Sequence, residues 1–155
     1  MGSASAHGTH VASIIFAQPG SSIPGIAPSC RALMGAAFRE GPDGNLSCSQ
    51  LDLARWILAA IDAGAHIINI SGGELASSVQ PEPVLADAIR KCVERNILVV
   101  AAAGNDGCDC FHLPAAMESV LTVGAMDQLG IPLPSSNWGL VYRGERVQLG
   151  RPVAI

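Results

Sequence analysis

Charge is scarce in this sequence. Of its 155 residues only 14% are Asp, Glu, Lys or Arg, where an ordinary globular chain carries roughly 25%. The 9 basic and 13 acidic residues leave a net charge of −4. There is thus no basic excess or run to neutralise phosphates, which sets nucleic-acid partners aside. Long apolar runs are missing too: the longest, Ile97 to Ala103, has seven residues, far short of the ~20 that a membrane helix needs. Met1 to Ala6 has neither the basic stretch nor the apolar core of a secretory signal. Aromatics make up only 4% of the chain. The five cysteines (Cys30, Cys48, Cys92, Cys108 and Cys110) cannot all pair internally. An odd count without a signal favours reduced thiols and a cytoplasmic location.

What is present is small and apolar. Apolar residues reach 49%, which is not the composition of a disordered chain. There are 23 Ala and 17 Gly. A core built from them packs through close approach of backbones, as where helices lie tightly on a parallel sheet.

The pattern along the chain alternates. His7 to Ala17 reads as a short helix, Pro19 to Pro28 as a loop, Arg31 to Phe38 as a strand, and Arg39 to Ser47 as a second loop. Ser49 caps a helix from Gln50 to about Ala63, with Leu51, Ala54, Ile57, Leu58 and Ile61 on one face and Gly64 at its end. His66 to Ser71 is a short strand broken by Gly72 and Gly73. A helix follows Pro83. Ile97 to Ala103 is nearly all apolar, so it is expected to be buried on both faces, and Val120 to Ala125 is a further strand. Strand, helix, strand, helix, strand predicts an α/β fold in three layers, a mostly parallel sheet flanked by helices, in one domain over residues 1–155. Functional groups in such sheets gather at the carboxyl ends of the strands. The loops Ser71-Gly72-Gly73-Glu74 and Gly104-Asn105-Asp106-Gly107 fall there.

Neither loop has the glycine spacing of a nucleotide-binding turn. Cys108, Cys110 and His112 offer three soft ligands within five residues, but the usual zinc spacing leaves two to four residues between cysteines and no fourth ligand is evident. A reduced, partly buried loop is the plainer reading there, and a Cys108–Cys110 disulfide a strained alternative. His7-Gly8-Thr9-His10-Val11-Ala12 places two histidines at a helix start with a glycine between them, which lets a substrate backbone come close.

That segment resembles the catalytic-histidine motif of the subtilisin-like serine proteases. Asn69-Ile70-Ser71-Gly72-Gly73 resembles their substrate-binding strand, and Val99 through Gly107 (VVAAAGNDG) their oxyanion-hole segment. Pro114, Ser119-Val120-Leu121-Thr122-Val123-Gly124-Ala125 and the turn Ser136-Asn137-Trp138-Gly139 follow in the family's order. The resemblance covers about residues 7–139. Gly107 through Ala116 (GCDCFHLPAA) and Phe16 through Ser21 look like the proteases of cyanobactin biosynthesis, which cut ribosomally made precursor peptides and in one class macrocyclise them. The resemblance implies that His7 is the general base and that Asn105 donates to the oxyanion. It implies that Ser71, Gly72 and Gly73 pair with substrate backbone, and that Ala102, Ala103 and Gly104 line the primary specificity pocket. It implies a cis Leu113-Pro114 bond, a structural role for His10, a peptide substrate, no cofactor and no assigned metal site.

The sequence departs from the family in two places. The aspartate motif V-x-D-[ST]-G and the nucleophile motif G-T-S-M-A do not occur in the 155 residues. Asp62, in Ile61-Asp62-Ala63-Gly64, only mimics the first, because it sits at a helix end. A catalytically incomplete, partial peptidase domain is therefore expected, prone to self-association through uncovered apolar faces. The alternatives are a pseudoprotease that binds peptides without turnover and, less favoured, a metal-binding module at Cys108, Cys110 and His112.

Overall fold

A computed structural model of the chain describes residues 3–40 and 46–138. The elements run α1 (Ser3–Phe16), β1 (Arg39–Glu40), β2 (Leu46–Ser47), α2 (Gln50–Asp62), β3 (Ile67–Ile70), β4 (Glu74–Ala76), α3 (Pro83–Glu94), β5 (Leu98–Ala102), β6 (Phe111–Leu113) and β7 (Val120–Val123). Strands β3, β5 and β7 form a parallel sheet in that order. The α/β class expected from the alternating pattern is the observed one.

The helix ends follow from local chemistry. Ser49 Oγ accepts the Asp52 backbone N–H at 3.0 Å, which occupies one of the donors left over at the start of α2. Gly64 takes a positive φ of 78° after that helix, with its N–H on the Ile61 carbonyl and the Ala65 N–H on the Ala60 carbonyl. This paired closure needs a residue tolerant of the left-handed region. Asn96 (φ 56°) closes α3 in the same way, with the Asn96 N–H on Val93 and the Ile97 N–H on Cys92. Pro83 opens α3, where its missing N–H costs nothing.

The core lies between the two helices and one face of the sheet. Leu53, Ala54, Ile57 and Ile61 of α2 meet Leu85, Ala88, Ile89 and Cys92 of α3 over Ile70, Val99, Ala101 and Val120. Alanines at 54, 88 and 101, all at most 1% exposed, let the backbones approach closely.

The structure differs from the expected pattern at three places. Residues 31–38 run without strand pairing, because among the described residues no strand lies along the outer edge of β3 to receive them. Arg31 instead donates from Nη2 to the Ala63 carbonyl at 2.6 Å. Residues 39–47, expected to be loop, contain the short antiparallel pair β1–β2. Finally, β5 is buried on one face, not two. Val99 and Ala101 are each 1% exposed, whereas Leu98 is 43% exposed, beside Ile67 at 64% on the same face. Leu121 on β7 lies on that face also and is 46% exposed. Among the described residues, α2 and α3 cover only the other face. The tail from Gly139 lies outside the described residues.

The two faces should respond differently to truncation. Leu85→Ala in α3 is expected to destabilise the fold by about 2–5 kcal/mol, as large-to-small core changes do. Leu98→Ala is expected to change stability little and to lower self-association. Urea unfolding and sedimentation velocity on both variants check this. Equal destabilisation by the two would contradict the one-sided core.

Candidate active site

The parallel pairing of β3 with β5 brings the two glycine-bearing loops together. Ile70 is in register with Ala101, so Ser71, Gly72 and Gly73 leave one strand beside Ala102, Ala103 and Gly104 leaving the next. The second segment is fixed from the other side by the Ala103 N–H on the Val123 carbonyl at 2.8 Å. The site thus stands at the carboxyl ends of the strands, where a parallel sheet collects its functional groups.

His7 reaches this edge from α1. Its Nε2 lies 3.0 Å from the Ser71 carbonyl oxygen. A carbonyl only accepts, so in this contact Nε2 carries the hydrogen. Asn69 Nδ2 donates to Ser71 Oγ at 2.8 Å, which settles the hydroxyl against its own strand. The His7 ring thus meets the Ser71 carbonyl, while the Ser71 hydroxyl is engaged by Asn69. His10, three residues after His7 on α1, is exposed.

Asn105 follows β5 at an exposed position in a tightly held loop. Gly104 adopts φ +100°, a conformation that side chains rarely take, and a Cβ there would collide with Asn137 Nδ2. Asn137 is 3% exposed and ties the loop at several points. Its Oδ1 accepts the Asp106 N–H at 2.7 Å, its Nδ2 donates to Asp106 Oδ2 at 3.0 Å, and its own N–H donates to the Gly104 carbonyl at 3.1 Å. The sequence shows Asn137 only as part of a turn; its side-chain hold on Asp106, 31 residues upstream, has no local signature.

Two ring systems complete the edge. Phe38 stands over Gly72, where a Cβ would come 2.5 Å from its Cζ. His112, on β6 opposite Leu75 of β4, stands between Gly73 and Gly104. Its Nδ1 is buried and has no hydrogen-bond partner among the described residues. The Leu113-Pro114 peptide bond is cis, as the resemblance implied.

The cysteines depart from the reduced state expected of them. Cys108 and Cys110 form a disulfide, their Cα atoms 5.2 Å apart across a turn, while Cys30, Cys48 and Cys92 are free. This removes the metal reading at Cys108, Cys110 and His112. A disulfide offers no thiolate, and His112 does not join the cysteines. The group that does approach them, the Asp106 carboxylate, is held by Asn137. Burial pushes the Cys92 thiol above its ordinary pKa. Burial, then the Asp52 charge, does the same to Cys48.

With this geometry in view, the comparisons identify the class. The model of the subtilase family of peptidases matches residues 2–148. The chain belongs to the subtilase family. Its fold resembles a mutant of the protease domain of PatA, at TM-score 0.85 and 57% identity over 91% of this chain and 50% of that one. It also resembles the prenylagaramide maturation protease PagA, at TM-score 0.84 and 50% identity over 88% of this chain and 48% of that one. A thermophilic serine proteinase of Bacillus sp. (strain AK1) is 38% identical over 135 residues, 86% of this chain and 32% of its own length. The chain therefore spans about half the length of these solved structures and a third of that proteinase.

A thiol count tests the disulfide. In denaturant without reductant, three thiols per chain are expected to react with Ellman's reagent, rising to five after reduction. In the folded chain Cys30 should react first and Cys92 last, because Cys92 is buried and its thiolate disfavoured. Five reactive thiols without reduction would contradict the pairing.

Proposed function

We propose that this chain carries the general base, the oxyanion donor and the substrate-binding strand of a subtilisin-like serine endopeptidase acting on a precursor peptide. The observation that carries this is the His7 ring seated 3.0 Å from the Ser71 carbonyl, on the same sheet edge that presents Asn105. An extended peptide would add to residues 71–73 as a strand, its backbone paired by main-chain hydrogen bonds. Glycines at 72 and 73 leave this segment without side chains of its own, the space beside them being taken by Phe38 and His112. Relatives named as maturation proteases support a ribosomal precursor as the substrate class.

In the complete reaction, a serine hydroxyl attacks the scissile carbonyl carbon and its proton passes to His7 Nε2. The oxygen that becomes negative is met by the Asn105 amide. His7 then returns the proton to the leaving amine as the C–N bond breaks. The hydrogen on Nε2 in the observed contact is the reverse of what a base needs. The working tautomer carries its hydrogen on Nδ1, stabilised by a carboxylate. Among the described residues, the contact that holds the ring is to a carbonyl through Nε2. Neither the aspartate motif nor the nucleophile motif is in the 155 residues. The chain on its own is therefore expected to bind peptide and not to cleave it, which is also what the pseudoprotease reading requires.

Two measurements on the full chain check this. Calorimetric titration with an extended precursor-type peptide should show binding, while mass spectrometry shows no cleavage and a fluorophosphonate leaves no label. Nitrogen NMR should place the His7 hydrogen on Nε2. Absence of peptide binding would overturn the reading, and a fluorophosphonate adduct on a defined residue would overturn the incompleteness.

A further inference from the structure

We propose that the Cys108–Cys110 pair is a thiol–disulfide exchange site whose oxidation state sets the order of the loop that presents Asn105. The exchange itself is independent of the peptide-binding reading above; its consequence for catalysis rests on the role given there to Asn105.

The first observation is what the disulfide is tied to. The bonded cysteines are two residues apart, and Cys108 comes three residues after Asn105. The Cys108 carbonyl accepts the Trp138 N–H at 3.1 Å, and the Gly107 N–H donates to the Ser135 carbonyl at 2.9 Å. Beside Trp138, Asn137 holds Gly104 and Asp106, the two residues that flank Asn105. Segments 104–108 and 135–138 are thus joined at Gly104, Asp106, Gly107 and Cys108, and the disulfide closes the far end of that join. Cys108 Sγ also lies 4.0 Å from Asn137 Oδ1, the oxygen that accepts the Asp106 N–H.

The second observation is access. Cys108 and Cys110 are half-buried and Asp109 between them is exposed, so a small dithiol reaches the bond. Exchange runs in two steps. A thiolate of the dithiol attacks one cysteine sulfur, the Cys108–Cys110 bond breaks, and the other sulfur leaves as a thiolate. The second thiolate of the dithiol then displaces the first cysteine from the mixed disulfide. Each released cysteine takes up a proton, two electrons pass to the pair, and the dithiol ends as a disulfide. Once reduced, Cys108 carries an S–H beside Asn137 Oδ1, a donor that competes there with the Asp106 N–H. The covalent closure that restricts the opened loop is lost as well. Both changes fall on the join that holds the residues around Asn105. The oxidised chain therefore presents Asn105 on an ordered loop, and the reduced chain on a looser one.

The test compares the folded full chain with and without dithiothreitol. Alkylation mapped by mass spectrometry should label Cys108 and Cys110 after reduction in native buffer and leave both unlabelled before it. Amide hydrogen exchange at Asp106 and Trp138 should then run about 2–10-fold faster, the size of one net hydrogen bond. Exchange in α2 and α3 should stay unchanged. Reoxidation with oxidised glutathione should restore the slow rates. A chain carrying both Cys108→Ser and Cys110→Ser should exchange at those two amides like the reduced chain and ignore dithiothreitol; if it does not fold, the native chain alone decides the matter. A bond that resists dithiothreitol until the chain is unfolded would overturn the exchange site. Reduction that leaves Asp106 and Trp138 unchanged, or that speeds α2 and α3 equally, would overturn its hold on the loop. No readout involves a peptide, so failure of the peptide site leaves either result in place.

Discussion

The parallel ladder between β3 and β5 is the constraint on which the site depends. Its register, Ile67 with Leu98 through Ile70 with Ala101, decides which residues emerge together at the carboxyl edge. A slip of one residue would turn each strand's buried side chains outward. The buried set Ile70, Val99 and Ala101 under α2 and α3 resists such a slip, because those residues would lose their burial together. Core packing thus fixes the positions of Ser71 and Asn105 although neither belongs to the core.

Close approach then converts that edge into a shaped surface. Gly72 admits Phe38, Gly73 admits His112, and Gly104 admits both His112 and Asn137. Each glycine stands where another side chain occupies the space that a Cβ would take. Asn137 holds the loop that carries Asn105 through both its amide and its backbone. For the oxyanion role proposed for Asn105, a loop anchored at a buried amide would supply the rigidity that a donor aimed in advance requires. The open apolar face of Ile67, Leu98 and Leu121 belongs to the same sheet, so whatever covers it bears on the same ladder.

Much of this was legible in the sequence, for local reasons. Ser49, Gly64 and Pro83 announce helix ends because capping is a matter of a few neighbouring residues. His7, Ser71 and Asn105 were marked by ordered motifs, and the parallel sheet placed them on one edge. Residues 31–38 misled because an apolar segment has strand character only beside a strand that pairs with it, and propensity does not report the partner. The apolar run of β5 suggested burial on both faces, yet burial depends on what covers each face. His112 was noticed for the wrong chemistry, as a companion of nearby cysteines in sequence. The β4–β6 pairing turns it away from them and toward Gly73 and Gly104. Asn137 was missed because its partners lie some 30 residues upstream.

The central claim is that residues 71–73 and 102–104 form one preassembled peptide-binding edge. Amide hydrogen exchange on the full chain, with and without an extended peptide, tests it most directly. The account predicts added protection at Ser71, Gly72 and Gly73 and at Ala102 to Asn105, with exchange in α2 and α3 unchanged. Protection confined to other surfaces, or protection spread evenly over the helices and sheet, would contradict it.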